Sequence, residues 1–453
     1  MYNKKISKLL KDLSINIGDR IGFVLNNKTY QGILLPKSKN SLDSTLVIKL
    51  DSGYNIGVDI NNITKIYKIS EGIKMQKDTD SNLLVDSDKK DFRDKIAILG
   101  CGGTIACQVD YISGAVHPQF STNDLLEIFP QVKKFGNIKA KSVFNILSEN
   151  MTPLHWQKIA LEVYNAFKDG ANSAVILHGT DTLGYSAAAL TYALEGLQLP
   201  VILSGAQRSS DRPSSDAKQN FLCSVAAAAS DIAGVYVCMH ASTNDDFNYL
   251  HLGTRVRKAH TSKRAAFRSI GYPPIAKIYA NDFKIEFNNL VQIPKRGENK
   301  INLKNKFSEN VHLAWVYPGI SKKEIRHWYD YDGIVLAGTG LGHFPTSSSD
   351  FDKTNELLAE LKELIQSGVL VVMAPQAGEG RIVLTTYSTG RLLEEIGVIG
   401  NGCDWLLETA YVKLCWALGQ TKNKNKVKEL LLQPIANDIT SYSIVTQEQE
   451  SEG

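Results

Sequence analysis

The rhythm of apolar and polar positions changes along the chain and divides it. Between residues 17 and 69, short runs such as RIGFVL, TYQGILL, TLVIKL, YNIGVDI and ITKIYKI are broken by the turn signals Asn26-Asn27 and Asp51-Ser52-Gly53. Runs of this length predict about five short strands, enough for a small closed or half-open β-barrel over residues 1–70. Residues 71–91, EGIKMQKDTDSNLLVDSDKKD, are mostly polar without periodicity and predict a linker.

From residue 92 the pattern becomes an apolar strand, a Gly- or Ser-containing loop and a helix, repeated. KIAILG, VFNIL, SAVILHG, PVILSG and GVYVCM alternate with segments of helical period, which predicts an α/β domain over 92–283 with a largely parallel sheet. One helix starts at Thr152-Pro153, an N-cap residue followed by proline in the first turn, and runs to about Gly170. Another, LGYSAAALTYALEGL, follows Thr182. Polar residues 284–308 predict a second linker. VHLAWVY, DGIVLAG and LVVMAP, with a helix from about Asp404 to Leu418, then predict a smaller α/β domain over 309–432. Residues 433–453 read as a tail that frays at QEQESEG. The expected fold class is thus α/β, two α/β domains behind a small all-β barrel domain.

Composition narrows the function. With 453 residues, 22% charged and 43% hydrophobic, the chain can bury large cores and is neither wholly disordered nor membrane-resident. No stretch approaches the roughly 20 apolar residues of a membrane span, and the polar start MYNKKISKLLKDLS lacks a signal peptide's apolar region. A cytoplasmic protein without membrane contact is expected. The cysteines at 101, 107, 223, 238, 403 and 415 form no C-x-x-C pair and are expected as reduced core thiols. A net charge of +4 does not by itself announce nucleic acid.

Candidate chemistry begins in ILGCGGTIACQVDYISGAVHP, residues 98–118, where glycines break a strand directly before Thr104. Ligands of parallel α/β sheets gather at the carboxyl ends of the strands. Ile105 stands where a dinucleotide G-x-G-x-x-G needs glycine, and no phosphate-binding G-x-x-x-x-G-K-[ST] occurs. A threonine hydroxyl is a weak nucleophile until a neighbour takes its proton. His178-Gly179-Thr180-Asp181-Thr182, at the end of SAVIL, offers a hydroxyl and a carboxylate, and Lys258 a cation that a carboxylate could orient. Each residue also has a plainer reading. The glycines can serve only a tight turn, Asp181 or Thr182 only a helix cap, Lys258 only a solvated basic face, and Tyr111 only a loop.

GGTIA at 102–106 and HGTDT at 178–182 are similar, in order and spacing, to the two signature motifs of the L-asparaginase family. The resemblance covers roughly residues 92–430, including YDGIVLAGTGLGHFP and APQAGEG, and implies an asparaginase-like fold for both α/β domains. It implies Thr104 as nucleophile on a side-chain carboxamide, with Thr180, Asp181 and Lys258 as a second proton-transfer group. Lys258 follows from matching KAHTSKRAAF to the family's lysine-containing segment. Gly103, Tyr111, Ser148 and Glu149 fall at substrate-holding positions. Cys101 departs from the threonine usual before the glycines.

The β-domain ahead of this body, with VDYISGAVHP and RVRKAHTSKRAAFRS, resembles the glutaminase subunits of archaeal glutamyl-tRNA(Gln) amidotransferases. That resemblance implies ammonia release from glutamine or asparagine and no cofactor in this chain. It implies ATP and Mg in a kinase-like, tRNA-binding partner subunit, Glu-tRNA(Gln) held mainly by that partner, and a heterotetramer built on a homodimer. The alternatives are a stand-alone cytoplasmic L-asparaginase and a non-catalytic scaffold. Apart from Lys258, the basic stretch with Arg255, Arg257, Lys263, Arg264 and Arg268 leaves substrate-side or partner-side duty, a solvated face and phosphate contact open.

Overall fold

In the computed structural model, residues 2–35, 44–50, 55–70, 95–103, 107–109, 116–118, 129–209, 214–242, 244–298, 300–346 and 355–443 are described. The N-terminal unit opens with helix α1 (Lys4–Asp12), followed by strands β1 (Arg20–Leu25), β2 (Lys28–Leu35), β3 (Thr45–Leu50), β4 (Asn55–Asp59) and β5 (Ile63–Ser70). They form one antiparallel sheet in the order β4-β3-β2-β1-β5. A single turn of 3₁₀ helix joins β4 to β5, which lie at opposite edges, so the barrel is half-open. Asn26 and Asn27, both at positive φ (48° and 59°), make the two-residue hairpin turn their sequence predicts. The expected turn at Asp51-Ser52-Gly53 and the linker over 71–91 lie outside the described residues.

Helix α1 corrects the expectation of an all-β unit. Asn3 caps it by accepting from Ile6 N at 2.8 Å, and Ile6 and Leu10, one turn apart, bury into a core with Ile21, Phe23, Leu34 and Ile48.

The following domain is built on an eight-stranded sheet. Its strands are β6 (Lys95–Gly102), β7 (Asn137–Ile146), β8 (Ser173–Leu177), β9 (Pro200–Ser204), β10 (Gly234–His240) and β11 (Phe247–Leu252). A short separate hairpin, β12 (Val256–Lys258) and β13 (Phe267–Ser269), leads on to the last two sheet strands, β14 (Ala276–Tyr279) and β15 (Ile285–Phe287). The sheet order is β15-β14-β11-β10-β9-β8-β6-β7, with β6 through β10 parallel and the rest antiparallel.

Alternation along the strands sends residues to both faces. Ala97, Leu99 and Ile176 pack against helices α2 (Pro153–Lys168) and α3 (Leu183–Ala193). Ile96, Ile98 and Val175 pack against α4 (Ala217–Ala228) on the other side. Helix α3 stops four residues before its expected end because Leu194 and Glu195 pair with Leu303 and Asn302.

That pairing also changes the picture of residues 284–308. Ile285–Phe287 form the sheet's edge, Gly297 N donates to Gln198 O, and Lys304 N donates to Ala193 O. The polar composition suggested a free linker, but its backbone groups find partners on the preceding domain.

In the second domain, strands β16 (Val311–Trp315), β17 (Gly333–Gly338) and β18 (Leu370–Pro375) form a parallel sheet. Helices α5 (Lys322–His327), α6 (Asn355–Ser367) and α7 (Ser388–Glu395) supply Ile325, Leu361 and Leu393 to one face. Helix α8 (Leu407–Gln420) covers the other and shares a continuous core with α3, where Tyr192 stacks on Trp416 with centroids 5.5 Å apart. Helix α9 (Lys424–Leu432) ends the domain.

The expected tail at 433–453 is corrected for its first part. Asp438 is fully buried against Lys413 Nζ at 2.6 Å, and Tyr192 donates its hydroxyl to the same carboxylate at 2.8 Å. Ala436 O accepts from Thr254 Oγ1, and Asn437 O from Arg255 Nε. The segment reads as polar and tail-like because its one decisive side chain is a buried counterion. QEQESEG lies outside the described residues.

Replacing Asp438 with alanine would strand the Lys413 ammonium in the core. A loss of about 3–5 kcal/mol is expected from the denaturant midpoint, as for breaking any fully buried pair; an unchanged midpoint would refute the anchoring role.

Candidate active site

Strand β6 lies between β7 and β8, so the chain leaves β6 toward one side of the sheet and leaves β8 toward the other. A reversal of this kind is where parallel α/β sheets form their ligand crevice, at the carboxyl ends of the strands. The GGT and HGTDT segments follow β6 and β8 respectively.

Glycine is required where the two loops meet. Gly102 and Gly103 have φ of +90° and +79°. A Cβ on Gly103 would lie 2.4 Å from Gly179 Cα, and one on Gly179 would lie 2.6 Å from Ser148 Cβ and Oγ. Gly205, at the end of β9, is equally tight, since its Cβ would stand 2.5 Å from His178 O. Loops from three strands therefore touch through backbone.

Hydrogen bonds fix the rest. Gly103 N donates to Ile146 O at 3.1 Å. Ser148, buried in a 3₁₀ turn after β7, accepts from Asp181 N at 3.2 Å through its hydroxyl. The Ser148 carbonyl accepts from Thr182 Oγ1 at 2.8 Å. Thr182 occupies the N-cap position of α3 but spends its hydroxyl on Ser148 instead of the helix. Asp181 does not cap either. Its carboxylate faces Lys258, whose Nζ stands 2.7 Å from Asp181 Oδ1 and 2.9 Å from Thr180 Oγ1.

Burial is graded across this trio. Thr180 is 5% exposed, and the side chains of Lys258 and Asp181 are 14% and 61% exposed. An ion pair with one partner this solvated contributes only about 0–1 kcal/mol to stability, so its consequence is aim. Lys258 donates to the buried hydroxyl oxygen, which leaves the Thr180 proton free to point elsewhere.

Behind the loop sits His178, fully buried. Its Nδ1–H donates to Gly179 O at 2.7 Å and its Nε2 accepts from Ser186 Oγ at 2.8 Å, a neutral tautomer assigned by these partners. Burial pulls its pKa to about 4. His178 thus shapes the HGTDT loop without carrying charge.

The structure brings Gly103, Ser148, Thr180, Asp181 and Lys258 to one crevice. Glu149 follows Ser148 and is exposed. Thr104 and Tyr111 lie outside the described residues, although Gly103 brings the chain to the position immediately before Thr104. Gly103 N and Asp181 N are both engaged, so oxyanion donors must come from other groups of these loops. Five of the six cysteines, Cys101 included, are buried and free.

The basic stretch is largely accounted for by the fold. Arg255 is buried against Asp404, Arg257 bonds Glu408 and Arg264 bonds Asp245, while Lys263 and Arg268 are exposed. Residues that sequence reasoning passed over include Gly205, Ser186 and the two carboxylates facing Arg255 and Arg257. Only Gly205, in the strand-end pattern PVILSG, carried a local signal.

Residues 95–291 match the family model described as "Asparaginase, N-terminal", and residues 310–431 match "Glutaminase/Asparaginase C-terminal domain". Residues 15–69 match "GatD N-terminal domain". A glutamyl-tRNA(Gln) amidotransferase subunit of Pyrococcus abyssi is 43% identical over 445 residues, 97% of this chain and 98% of that protein. The protein of the same name from Methanosphaera stadtmanae is 43% identical, with 95% of each covered. Among solved structures, the thermostable L-asparaginase from Thermococcus kodakarensis superposes with a TM-score of 0.66 at 32% identity, covering 76% of this chain and 99% of that one. L-asparaginase I from Vibrio cholerae gives 0.65 at 28% identity, covering 77% and 99%.

Three buried histidines, His178, His240 and His251, all lowered by burial, make the fold acid-sensitive. The pKa is about 4 for His178 and about 3 for His251, both depressed by burial, against an ordinary 6.5. The unfolded chain takes up these protons first, so the contribution is complete above pH 6.5 and is lost as pH falls through the folded values. Each histidine costs up to about 1.4 kcal/mol per pH unit within that window. A denaturant midpoint lower at pH 5 than at pH 7, with a smaller drop in His178→Gln, is expected; an equal drop in the variant would count against this origin.

Proposed function

Because this chain belongs to the family of these glutamyl-tRNA(Gln) amidotransferase subunits, we propose that it is the glutaminase half of such an enzyme. It releases ammonia from glutamine for conversion of Glu-tRNA(Gln) to Gln-tRNA(Gln) on a partner subunit. The observation that supports the reading is Lys258 Nζ bonded to both Thr180 Oγ1 and Asp181 Oδ1, on the loop that Gly103, the residue before Thr104 in the sequence, approaches at Gly179.

In this mechanism Thr104 Oγ attacks the substrate carboxamide carbon, and the Thr180–Lys258–Asp181 group relays the protons. The tetrahedral intermediate collapses to an ester on Thr104 and ammonia. Water then attacks that ester, restoring the threonine and releasing the amino-acid carboxylate. Backbone N–H groups of the surrounding loops stabilise the oxyanion, each worth about 100- to 1000-fold in rate. Ser148, Glu149 and Tyr111 hold the α-amino and carboxylate end, where Glu149 suits the ammonium group. These steps move no hydride or electron, so the chain needs no cofactor of its own.

ATP and Mg belong with the kinase-like partner, which phosphorylates the glutamyl ester of the misacylated tRNA. Ammonia spilled into water would become ammonium and lose its nucleophilicity, which favours a sealed hetero-oligomer, here a heterotetramer built on a homodimer in the cytoplasm. Glutamine and asparagine differ by one methylene, worth about 1–3 kcal/mol. The stand-alone asparaginase is disfavoured mainly by residues 15–69, which match the domain model of the amidotransferase type.

Thr104→Ala should abolish ammonia release from glutamine, assayed by coupled ammonia detection with partner subunit, Glu-tRNA(Gln) and ATP present, while the complex still co-purifies. Full residual release would reject the assignment. Fast asparagine hydrolysis by the chain alone, indifferent to tRNA and ATP, would favour the asparaginase instead.

A further inference from the structure

The catalytic role proposed for Lys258 places it on a weak support. Hairpin β12–β13 pairs Val256 with Ser269, Arg257 with Arg268 and Lys258 with Phe267, is extended by Ile270 N donating to Arg255 O and Ala259 N to Ala266 O, and belongs to neither large sheet. A two-stranded hairpin of this length does not hold itself in place. What fixes it must come from outside.

The outside contacts fall on both strands: on β13 Phe267 is a core residue and Ser269 Oγ bonds His251 Nδ1 at 2.8 Å, and on β12 they cluster on the residues preceding the lysine. Arg257 alternates with Lys258 along the strand, so its side chain leaves from the opposite face. It meets Glu408 with Nε at 2.7 Å from Oε1 and Nη2 at 2.8 Å from Oε2, a two-pronged contact with both side chains about one-fifth exposed. Glu408 lies in the first turn of α8, where a carboxylate is favoured by the helix dipole. The helix itself is rigid, since Leu407, Ala410 and Leu414 are core residues.

Other tethers surround this one. The Val256 carbonyl lies where a Cβ on Gly184, at the start of α3, would stand 2.9 Å away. Arg255 Nη1 donates to Asp404 O at 2.6 Å. Beyond the lysine, Arg264 pairs with Asp245, which also accepts from His240 Nε2 at 3.1 Å. Of these, the Arg257–Glu408 fork is nearest in sequence to Lys258 and joins side chain to side chain across domains.

We propose that the Arg257–Glu408 ion pair positions Lys258, so that helix α8 of the second domain sets the reach of the lysine to Thr180 and Asp181. The inference rests on Lys258 taking part in proton transfer. Arg257 and Glu408 touch no reacting atom and act through the strand. Losing the fork frees the strand at the residue beside Lys258, whose two hydrogen bonds tolerate little displacement.

Three variants of the full chain, assayed for glutamine hydrolysis in the complete complex, test this. Lys258→Met comes first: full turnover there would remove the lysine's role and this proposal with it. With Lys258→Met inactive, Glu408→Gln should lower kcat about 10- to 100-fold, the scale of an ångström of misplacement. KM should stay within about twofold, because uniform binding is untouched. The melting midpoint should move by no more than about 4 °C, as for a partly exposed pair. The swap Arg257→Glu with Glu408→Arg should recover most of kcat. Full kcat in Glu408→Gln overturns positioning alone and leaves the lysine's role standing. A kcat loss that tracks a large fall in melting midpoint and is not rescued by the swap also overturns it, as a merely structural effect.

Discussion

The candidate site depends on backbone touching backbone. Gly103 lies so close to Gly179 that it tolerates no Cβ, a Cβ on Gly179 would strike the Ser148 side chain, and Gly205 closes the same cluster from the end of β9. The approaches of Gly103 to Gly179 and of Gly205 to His178 are made by backbone alone. Their effect is to set loops from neighbouring parallel strands against each other at the point where the chain's direction across the sheet reverses, and thereby to make the crevice small. Two glycines at positive φ and a buried neutral histidine belong to this cluster.

A second constraint ties the domains into one working body. The segment from Thr254 to Lys258 is bonded to Ala436, Asn437, Asp404 and Glu408, all from the second domain or its C-terminal extension. Helices α3 and α8 share one core. The strand that presents the lysine therefore sits at a seam between domains, which explains why residues remote from the crevice bear on it. The buried Lys413–Asp438 pair adds little net stability over an apolar substitute of the same shape, yet losing one member is costly. It acts as a registration device for the segment 433–440.

Local chemistry was readable and long-range pairing was not. The glycines before Thr104 and the HGTDT loop each carry a short pattern with a mechanical reason, the position of Lys258 came from the family resemblance of KAHTSKRAAF, and the structure brings Thr180, Asp181 and Lys258 together. The alternation of Ile96 and Ile98 against Ala97 and Leu99 follows from strand geometry. Glu408 bonds a residue 151 positions away, and no periodicity announces such a partner. Asp438 failed for the same reason, hidden in a polar segment. Helix α1 is a different failure: Asn3, Ile6 and Leu10 carried a cap and a helical spacing, and the surrounding lysines masked both.

The half-open N-terminal barrel separates this chain from the asparaginases it superposes on, which cover about three-quarters of it. The central claim is narrower and concerns the hydroxyl that follows Gly103. Incubating the complex with an electrophilic glutamine analogue and mapping the adduct by peptide mass spectrometry tests it most directly. The account predicts a single covalent label on the Thr104 oxygen; a label on Thr180, on a cysteine, or nowhere despite intact glutaminase activity would contradict it.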